Sequence, residues 1–371
     1  MSTVDAPAAP SAAPARRHAV FHELRVSRLD RLTEDSIAIT FEVPPELREA
    51  YRFTAGQHVS LRCRIAGDDV RRNYSICTPA GSGVLRVGVK RLPDGVFSSY
   101  ALEKLRVGDP IEVLTPSGRF FTPLDPAQAR HYAAVAAGSG ITPILSILAT
   151  ALAVEPASRA TLVYVNQTTA SIMFLEELAD LKDRYLDRFQ LVHVLDRERQ
   201  EVELLSGFLD RDRLTALLDS VVDTDRVDEW FLCGPIGLTD LIRETLLGRG
   251  VTDGQVHREL FHVGPAPAPL ARPEATAPGG STITVLLDGR TSTFTLRPDD
   301  EPILDATLRV RADAPYACKN GVCGTCRAKL VSGRVAMARN FALERDEVDR
   351  GYVLACQAHP ATDDVVLDFD R

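Results

Sequence analysis

Cys318-Lys319-Asn320-Gly321-Val322-Cys323-Gly324-Thr325-Cys326, followed by Cys356 after 29 intervening residues, sets four of the seven cysteines in a C-x4-C-x2-C…C array. Three thiols on one short loop can surround a metal centre only if the backbone folds back on itself, which Gly321 and Gly324 permit. Asn320 is a candidate to support that loop. The spacing suits two irons and two sulfides held by four thiolates. The alternatives are a disulfide framework and a zinc site. Disulfides need an oxidising compartment, whereas the opening residues carry no apolar signal segment and the cysteine total is odd. Structural zinc sites pair two C-x2-C units, and here only Cys323 and Cys326 make one. Cys63, Cys77 and Cys233 lie outside the array and read as ordinary reduced thiols.

Moving outward, a stretch dense in Pro, Ala and Gly from Gly264 to Gly280 cannot continue a helix or a ladder and reads as a linker. It separates a body of about 260 residues from a module of about 90, within a chain of 371 residues that suits two or three domains. Met1 to Arg17, rich in Ala, Pro and Ser, reads as a flexible tail. Residues 20–114 carry short alternating runs such as Ser36–Phe41 and His58–Cys63, the pattern of an antiparallel β-barrel. From residue 131 apolar strands alternate with helices: 131–137 then a helix from 142, 160–165 then 172, 189–195 then about 209, 229–233 then 236. That alternation predicts an α/β domain with a parallel sheet. A net charge of −8 argues against a nucleic-acid binder, and no run of eighteen apolar residues suggests a membrane span. The expected compartment is the cytoplasm.

Three motifs carry the chemistry of the body. His131–Ala137 ends in Gly138-Ser139-Gly140-Ile141-Thr142-Pro143, a strand-to-turn-to-helix passage in which Thr142 is expected as N-cap and Pro143 as the first helical residue. Backbone N–H groups and the helix dipole would there face a phosphate. The third glycine of G-x-G-x-x-G is missing, so an ordinary turn is the alternative. The strand 229–233 ends in a second sharp turn, Cys233-Gly234-Pro235, and ligands of parallel sheets gather at such carboxyl ends. In the barrel, Arg72 and Tyr74 share one strand face while Asn73 and Ser75 share the other. Arg suits bidentate phosphate contact and Tyr suits stacking on a ring. Gly95-Val96-Phe97-Ser98-Ser99-Tyr100 offers a second anion site at a helix start.

As an ordered set, Arg72-x-Tyr74-Ser75, Gly95-x-x-Ser98, Gly138–Pro143 and Cys233-Gly234-Pro235 resemble the ferredoxin-NADP reductase superfamily, joined to a plant-type ferredoxin module of α+β, β-grasp fold. Tyr51–His58, Pro315–Lys319 and Gly351–Ala358 resemble more closely the reductase subunits of phenylacetyl-CoA epoxidases, which serve phenylacetate degradation. The resemblance covers nearly everything from residue 20 to 371 and implies a multidomain protein: a tail over 1–18, an FAD-binding barrel over 19–125, an NAD(P)-binding α/β domain over 126–263, a linker over 264–280 and a ferredoxin domain over 281–371. It implies that Arg72 binds the flavin diphosphate with Ser98 and Ser99, with Val89, Lys90 and Gly95 in the same site. Tyr74 and Ser75 would lie against the flavin ring. Gly138, Gly140, Thr142, Pro143, Gly234 and Pro235 would hold the nicotinamide cofactor, Cys233 would border the transferring hydride, and Glu259 and Phe261 would approach the flavin. Cys318, Cys323, Cys326 and Cys356 would ligate the cluster.

The implied cofactors are FAD (FMN is the alternative), a 2Fe-2S cluster, and NADPH or NADH as donor. A nicotinamide delivers a two-electron hydride and a cluster accepts one electron at a time, so the flavin is the converter. The implied partners are oxygenase subunits, and the implied activity is that of a monooxygenase reductase. A reductase for a steroid or aromatic-ring hydroxylase and a redox-sensing binding module are the alternatives. The family often carries Asn-Arg and Ser-Arg pairs for the NADPH 2′-phosphate; here they read Asn166-Gln167 and Asp196-Arg197. Arg197 is the expected phosphate contact. Between Asp313 and Glu344 the chain has no acid but five bases, Lys319, Arg327, Lys329, Arg334 and Arg339. They either compensate the cluster's negative charge or form a basic rim that steers a partner.

Overall fold

The computed structural model describes residues 2–5, 20–261, 280–297, 301–343 and 345–371. They fall into two compact units, Phe21–Phe261 and a second made of the opening residues with His262–Arg371. The stretch 264–279, expected as a linker, lies outside the described residues. The first strand in chain order, β1 (Ser2–Asp5), belongs to the second unit.

The unit Phe21–Phe261 begins with β2 (Phe21–Thr33), β3 (Ser36–Glu42), β4 (His58–Ile65), β5 (Asp68–Ser75), β6 (Leu85–Lys90), α1 (Val96–Glu103) and β7 (Pro110–Leu114). The strands are antiparallel in the order β5-β4-β7-β2-β3-β6, and a bridge from Ile76 to Val87 brings the two edges together into a barrel. The β4–β5 hairpin turns on Ala66 and Gly67, both at positive φ (52° and 94°), a two-residue turn whose twist matches its strands. Leu85, Val87 and Val89 alternate into the barrel core, and α1 adds Phe97 and Ala101 to it.

The same unit continues as a doubly wound layer: β8 (His131–Ala137), α2 (Ile141–Val154), β9 (Arg159–Asn166), α3 (Leu175–Arg184), β10 (Phe189–Leu195), α4 (Arg211–Val221), β11 (Glu229–Cys233), α5 (Ile236–Gly248) and β12 (Val256–Glu259). All pairings are parallel, in the order β10-β9-β8-β11-β12. The order reverses between β8 and β11, which opens a crevice at their carboxyl ends. α2 carries no charged residue and is buried from Ile141 to Leu152, as a helix covered on both sides must be. The helix expected from 172 starts at Leu175. Thr168 closes a capping box over a short turn, and Phe174 sits at φ 59°, left-handed backbone that a helix cannot include. Glu155, fully buried, accepts from Tyr132 Oη (2.8 Å), Ser158 Oγ (2.6 Å) and the Asp125 N–H (2.9 Å), fastening the barrel's exit to the layer.

The second unit contains β13 (Ser281–Leu287), β14 (Arg290–Leu296), α6 (Ile303–Val310), β15 (Arg327–Ser332), β16 (Arg334–Met337), α7 (Arg345–Asp349), β17 (Tyr352–Leu354), β18 (Ala358–Pro360) and β19 (Asp364–Asp368). Its main sheet runs β14-β13-β19-β15-β17 with β13 and β19 parallel, and α6 buries Ile303, Leu304 and Ala306 in its core, a β-grasp arrangement. A small sheet, β1-β16-β18, lies beside it. The opening tail is therefore not featureless. Ser2–Asp5 pair with β16, whose backbone edge is otherwise open to any strand that can reach it. Among the described residues no helix is long and apolar enough to cross a membrane.

Candidate active site and cluster site

At the reversal point the turns after β8 and β11 touch. A Cβ on Gly140 would stand 2.1 Å from the Cys233 carbonyl oxygen, and one on Gly234 would stand 2.9 Å from Ala137 Cβ, so only glycine lets the backbones meet. Gly138 takes φ 53°, and its carbonyl accepts from Tyr164 Oη at 2.9 Å. Thr142 is not the N-cap. Gly138–Gly140 form a single 3₁₀ turn, Gly140 caps α2, and Thr142 Oγ1 donates back to the Ser139 carbonyl at 3.0 Å. Pro143 is the third helical residue, still within the turn whose N–H groups lack helical partners. Pro235 is the N-cap residue of α5.

Three strand ends converge there. Ser75 closes β5, Cys233 closes β11 and Glu259 closes β12; Cys233 and Glu259 are register partners. Ser75 Oγ donates to Glu259 Oε2 at 3.0 Å, joining the barrel to the nucleotide layer. Ser75 and Cys233 are 3% and 1% exposed, so water is nearly absent from this contact. Burial pushes the Glu259 carboxyl up to about 7 against the opposing pull of the Ser75 hydroxyl. Burial, and then the Glu259 charge, push the Cys233 thiol well above its ordinary range, so it stays protonated. Phe261 follows β12 and is exposed.

On the barrel side, Tyr74 packs its ring 5.3 Å from that of Phe97, while Arg72 is exposed and donates to the Arg71 carbonyl at 2.7 Å. Arg71, its buried neighbour, pairs with Asp69 at 3.1 Å and lies over the Phe21 ring. Val89 is fully buried in the barrel core, and Lys90 pairs with Asp35 at 3.5 Å. A Cβ on Gly88 would meet Thr142 Cγ2 at 2.7 Å, so β6 packs directly against the start of α2. Gly95 is the N-cap of α1. Ser98 is buried; its hydroxyl accepts from the Leu92 N–H (3.1 Å) and donates to the Gly95 carbonyl (3.2 Å), so it builds the turn into α1. Ser99 is half-buried in the same helix.

Two groups at the carboxyl ends of β9 and β10 are in a state that residue type alone does not signal. Both amide atoms of Asn166 and one carboxylate oxygen of Asp196 are buried without a hydrogen-bond partner, unspent polar capacity at the end of the sheet where nucleotides bind. Arg197, 68% exposed, stands 4.0 Å from Asp196.

In the second unit the four thiols of the array come together as two pairs. Cys318 lies against Cys323, and Cys326 against Cys356. Two pairs of thiols fit a two-iron centre. All are free thiols. The loop is shaped by Lys319, Gly321 and Gly324 at φ 53°, 76° and 67°. The Asn320 N–H donates to Cys318 Sγ at 3.3 Å. Hydrogen bonding from Cys323 and then from backbone N–H groups holds Cys318 toward the thiolate, and Cys326 does the same for Cys356.

Of the five bases read either as compensation for the cluster's charge or as a rim, two are paired with acids and a third is tied to a backbone carbonyl. Lys319 pairs with Asp305 at 2.6 Å, Arg327 with the fully buried Glu347 at 2.7 Å, and buried Lys329 donates to the Arg350 carbonyl beside the Tyr352 ring. Those partners lie just outside the acid-free interval.

Comparison with known proteins agrees with this division of labour. The oxidoreductase FAD-binding domain family matches residues 23–121, the oxidoreductase NAD-binding domain family residues 134–244, and the 2Fe-2S iron-sulfur cluster binding domain family residues 285–361. The chain is 45% identical to a protein of Escherichia coli K12 that is one of the subunits of 1,2-phenylacetyl-CoA epoxidase, over 94% of this chain and 98% of that one. It is 33% identical to the ferredoxin reductase component of 3-ketosteroid-9-alpha-monooxygenase of Rhodococcus rhodochrous, over 93% and 96%. Phthalate dioxygenase reductase, described as a modular structure for electron transfer from pyridine nucleotides to a 2Fe-2S centre, shares the fold at TM-score 0.57 and 24% identity, over 94% of this chain and 98% of that one. An intact type IV self-sufficient cytochrome P450 monooxygenase matches at TM-score 0.67 and 23% identity, over 94% of this chain and 41% of that one. FAD, a 2Fe-2S cluster and NAD(P)H are thus its cofactors, and the chain belongs to the family of flavin and iron-sulfur reductase components of multicomponent monooxygenases.

Proposed function

We propose that the chain carries electrons from NADPH through FAD and the cluster to the oxygenase of a phenylacetyl-CoA epoxidase, in the cytoplasm. The observation that carries the choice of acceptor is the 45% identity to an epoxidase subunit along nearly the whole of both chains. Bound FAD would take a two-electron hydride and release single electrons. This chain's own residues supply position and dryness. Ser75 and Cys233 flank the transfer, with Glu259 orienting the Ser75 hydroxyl at 3.0 Å. A thiol kept protonated at Cys233 adds no charge beside the nicotinamide. Arg72, Tyr74, Val89, Lys90, Gly95, Ser98 and Ser99 hold the flavin, and Phe261 closes on it. Gly138, Gly140, Thr142, Pro143, Gly234 and Pro235 hold the nicotinamide cofactor, and the exposed Arg197 takes the 2′-phosphate. Cys318, Cys323, Cys326 and Cys356 ligate the cluster, which the free state of all seven cysteines and a reducing compartment allow.

Reconstitution with purified oxygenase subunits tests the reading. NADPH consumption coupled to epoxidation of phenylacetyl-CoA is expected. Coupling to a 3-ketosteroid hydroxylase and none to the epoxidase would favour the reading supported by the 33% identical steroid-system reductase.

A further inference from the structure

Three thiols of the array share one loop, whereas Cys356 stands alone after 29 intervening residues. One side chain spans the two segments. Gln357 donates from Nε2 to the Lys319 carbonyl at 2.8 Å and to the Cys356 carbonyl at 2.9 Å, and the same nitrogen stands 3.6 Å from Cys356 Sγ. Carbonyl oxygens only accept, so the amide nitrogen and not its oxygen must face them. That nitrogen has two hydrogens for three acceptors: one goes to Lys319, and the other is shared between the carbonyl and the sulfur of Cys356. The rest of the residue is held as well. Its carbonyl accepts from the Ala338 N–H at 2.9 Å, and its own N–H donates to the Leu354 carbonyl at 2.9 Å. A Cβ on Gly321 would stand 3.1 Å from Gln357 Cγ, so the stem packs against the loop where a glycine leaves room. Lys319 sits at φ 53°, left-handed backbone that a non-glycine residue keeps only where its surroundings hold it. Gln357 on its carbonyl and Asp305 on its Nζ, at 2.6 Å, supply that hold.

We infer that Gln357 is a positioning residue for the cluster: its amide clasps the lone ligand Cys356 to the three-thiol loop and gives that sulfur a hydrogen bond that raises the cluster's reduction potential. The inference rests on the reading that Cys356 ligates the cluster. An added electron makes the sulfurs more negative, and a hydrogen bond strengthens as its acceptor gains charge. The donor therefore stabilises the reduced state more than the oxidised one, a lever by which hydrogen bonds to sulfur set the potentials of such centres. A hydrogen shared between two acceptors gives less than a full bond. Its removal should shift the ratio of reduced to oxidised cluster about threefold, roughly 28 mV for a one-electron couple in which tenfold is about 59 mV.

The test uses the full holoprotein carrying Gln357→Met, which keeps a straight stem and removes both donor hydrogens. Potentiometric titration followed by EPR reads the potential, and iron content reads whether the cluster is held. Full cluster content with a potential lower by roughly 28 mV is expected. An unchanged potential in a cluster-replete variant would overturn the inference. A second measurement does not depend on the variant holding its cluster: pulsed EPR of the reduced, unaltered protein, isotopically labelled only at glutamine side-chain nitrogen. A coupling between that nitrogen and the cluster spin is expected, and its absence would overturn the inference. Failure of the ligand reading itself would look different, because Cys356→Ser would then leave the EPR spectrum of the cluster unchanged.

Discussion

Glu259 should set the pH dependence of flavin reduction. Its carboxyl is pushed up to about 7 by burial, from an ordinary 4.5. The difference corresponds to roughly 3 kcal/mol for ionisation in place, which partial solvent access reduces to about 1–2 kcal/mol. A raised acid holds its proton in the folded state across the window from 4.5 to 7 while the unfolded chain has lost it. That stability is therefore fully present below 4.5 and is lost as pH rises through 7. Activity should move the other way. Above pH 7 a carboxylate beside Cys233 favours the positive charge that a nicotinamide acquires as hydride leaves, and about 1.4 kcal/mol of such help is tenfold in rate. Stopped-flow flavin reduction from pH 5.5 to 9 should rise about tenfold with a midpoint near 7 in the unaltered protein and stay flat at the lower level in Glu259→Gln. Ser75→Ala removes the 3.0 Å donor to the carboxylate. A hydrogen bond to a charged group contributes about 1.5–3 kcal/mol, so the midpoint should climb by about one unit. A midpoint near 7 that persists in Glu259→Gln would refute the assignment.

Cys323→Ser should abolish the visible absorption of the cluster and reduction of the oxygenase while ferricyanide reduction by NADPH continues; loss of flavin content as well would contradict two separately folded units. Gly140→Ala places a methyl 2.1 Å from the Cys233 carbonyl and should cost about 1–3 kcal/mol and raise KM for the nucleotide, read by flavin-release melting and steady-state kinetics. Arg327→Ala removes an ion partner of fully buried Glu347 and should destabilise the cluster module, seen as a lower temperature of cluster bleaching with flavin release unmoved. Arg197→Ala should lower kcat/KM for NADPH about tenfold and leave NADH unchanged; equal values for the two donors in the unaltered protein would remove the phosphate assignment.

What could be read from the sequence was whatever neighbouring residues decide among themselves. The cluster array is one loop plus one distant thiol, and its glycines mark two of the three positive-φ positions in the loop, the third falling on Lys319. The carboxyl-end turns after β8 and β11 carry their own glycines, and the parallel order that brings them together follows from strand–helix alternation. The expected N-cap at Thr142 missed by two residues because a 3₁₀ turn begins at Gly138, and the helix expected from 172 missed by three because Phe174 adopts left-handed backbone; neither event has a residue-type signature. Long-range pairing was invisible for a different reason. Ser2–Asp5 lie in a segment whose composition reads as tail, and what makes them a strand is an open backbone edge at 334–337. The basic interval shows the same effect in charge: counting acids between 313 and 344 leaves out Asp305 and Glu347, which the fold returns to Lys319 and Arg327 at 2.6 and 2.7 Å. A net local charge drawn from a window of sequence thus overstates the field an oxygenase would meet, because the ion pairs that cancel it are closed by α6 and α7 from either side of that window.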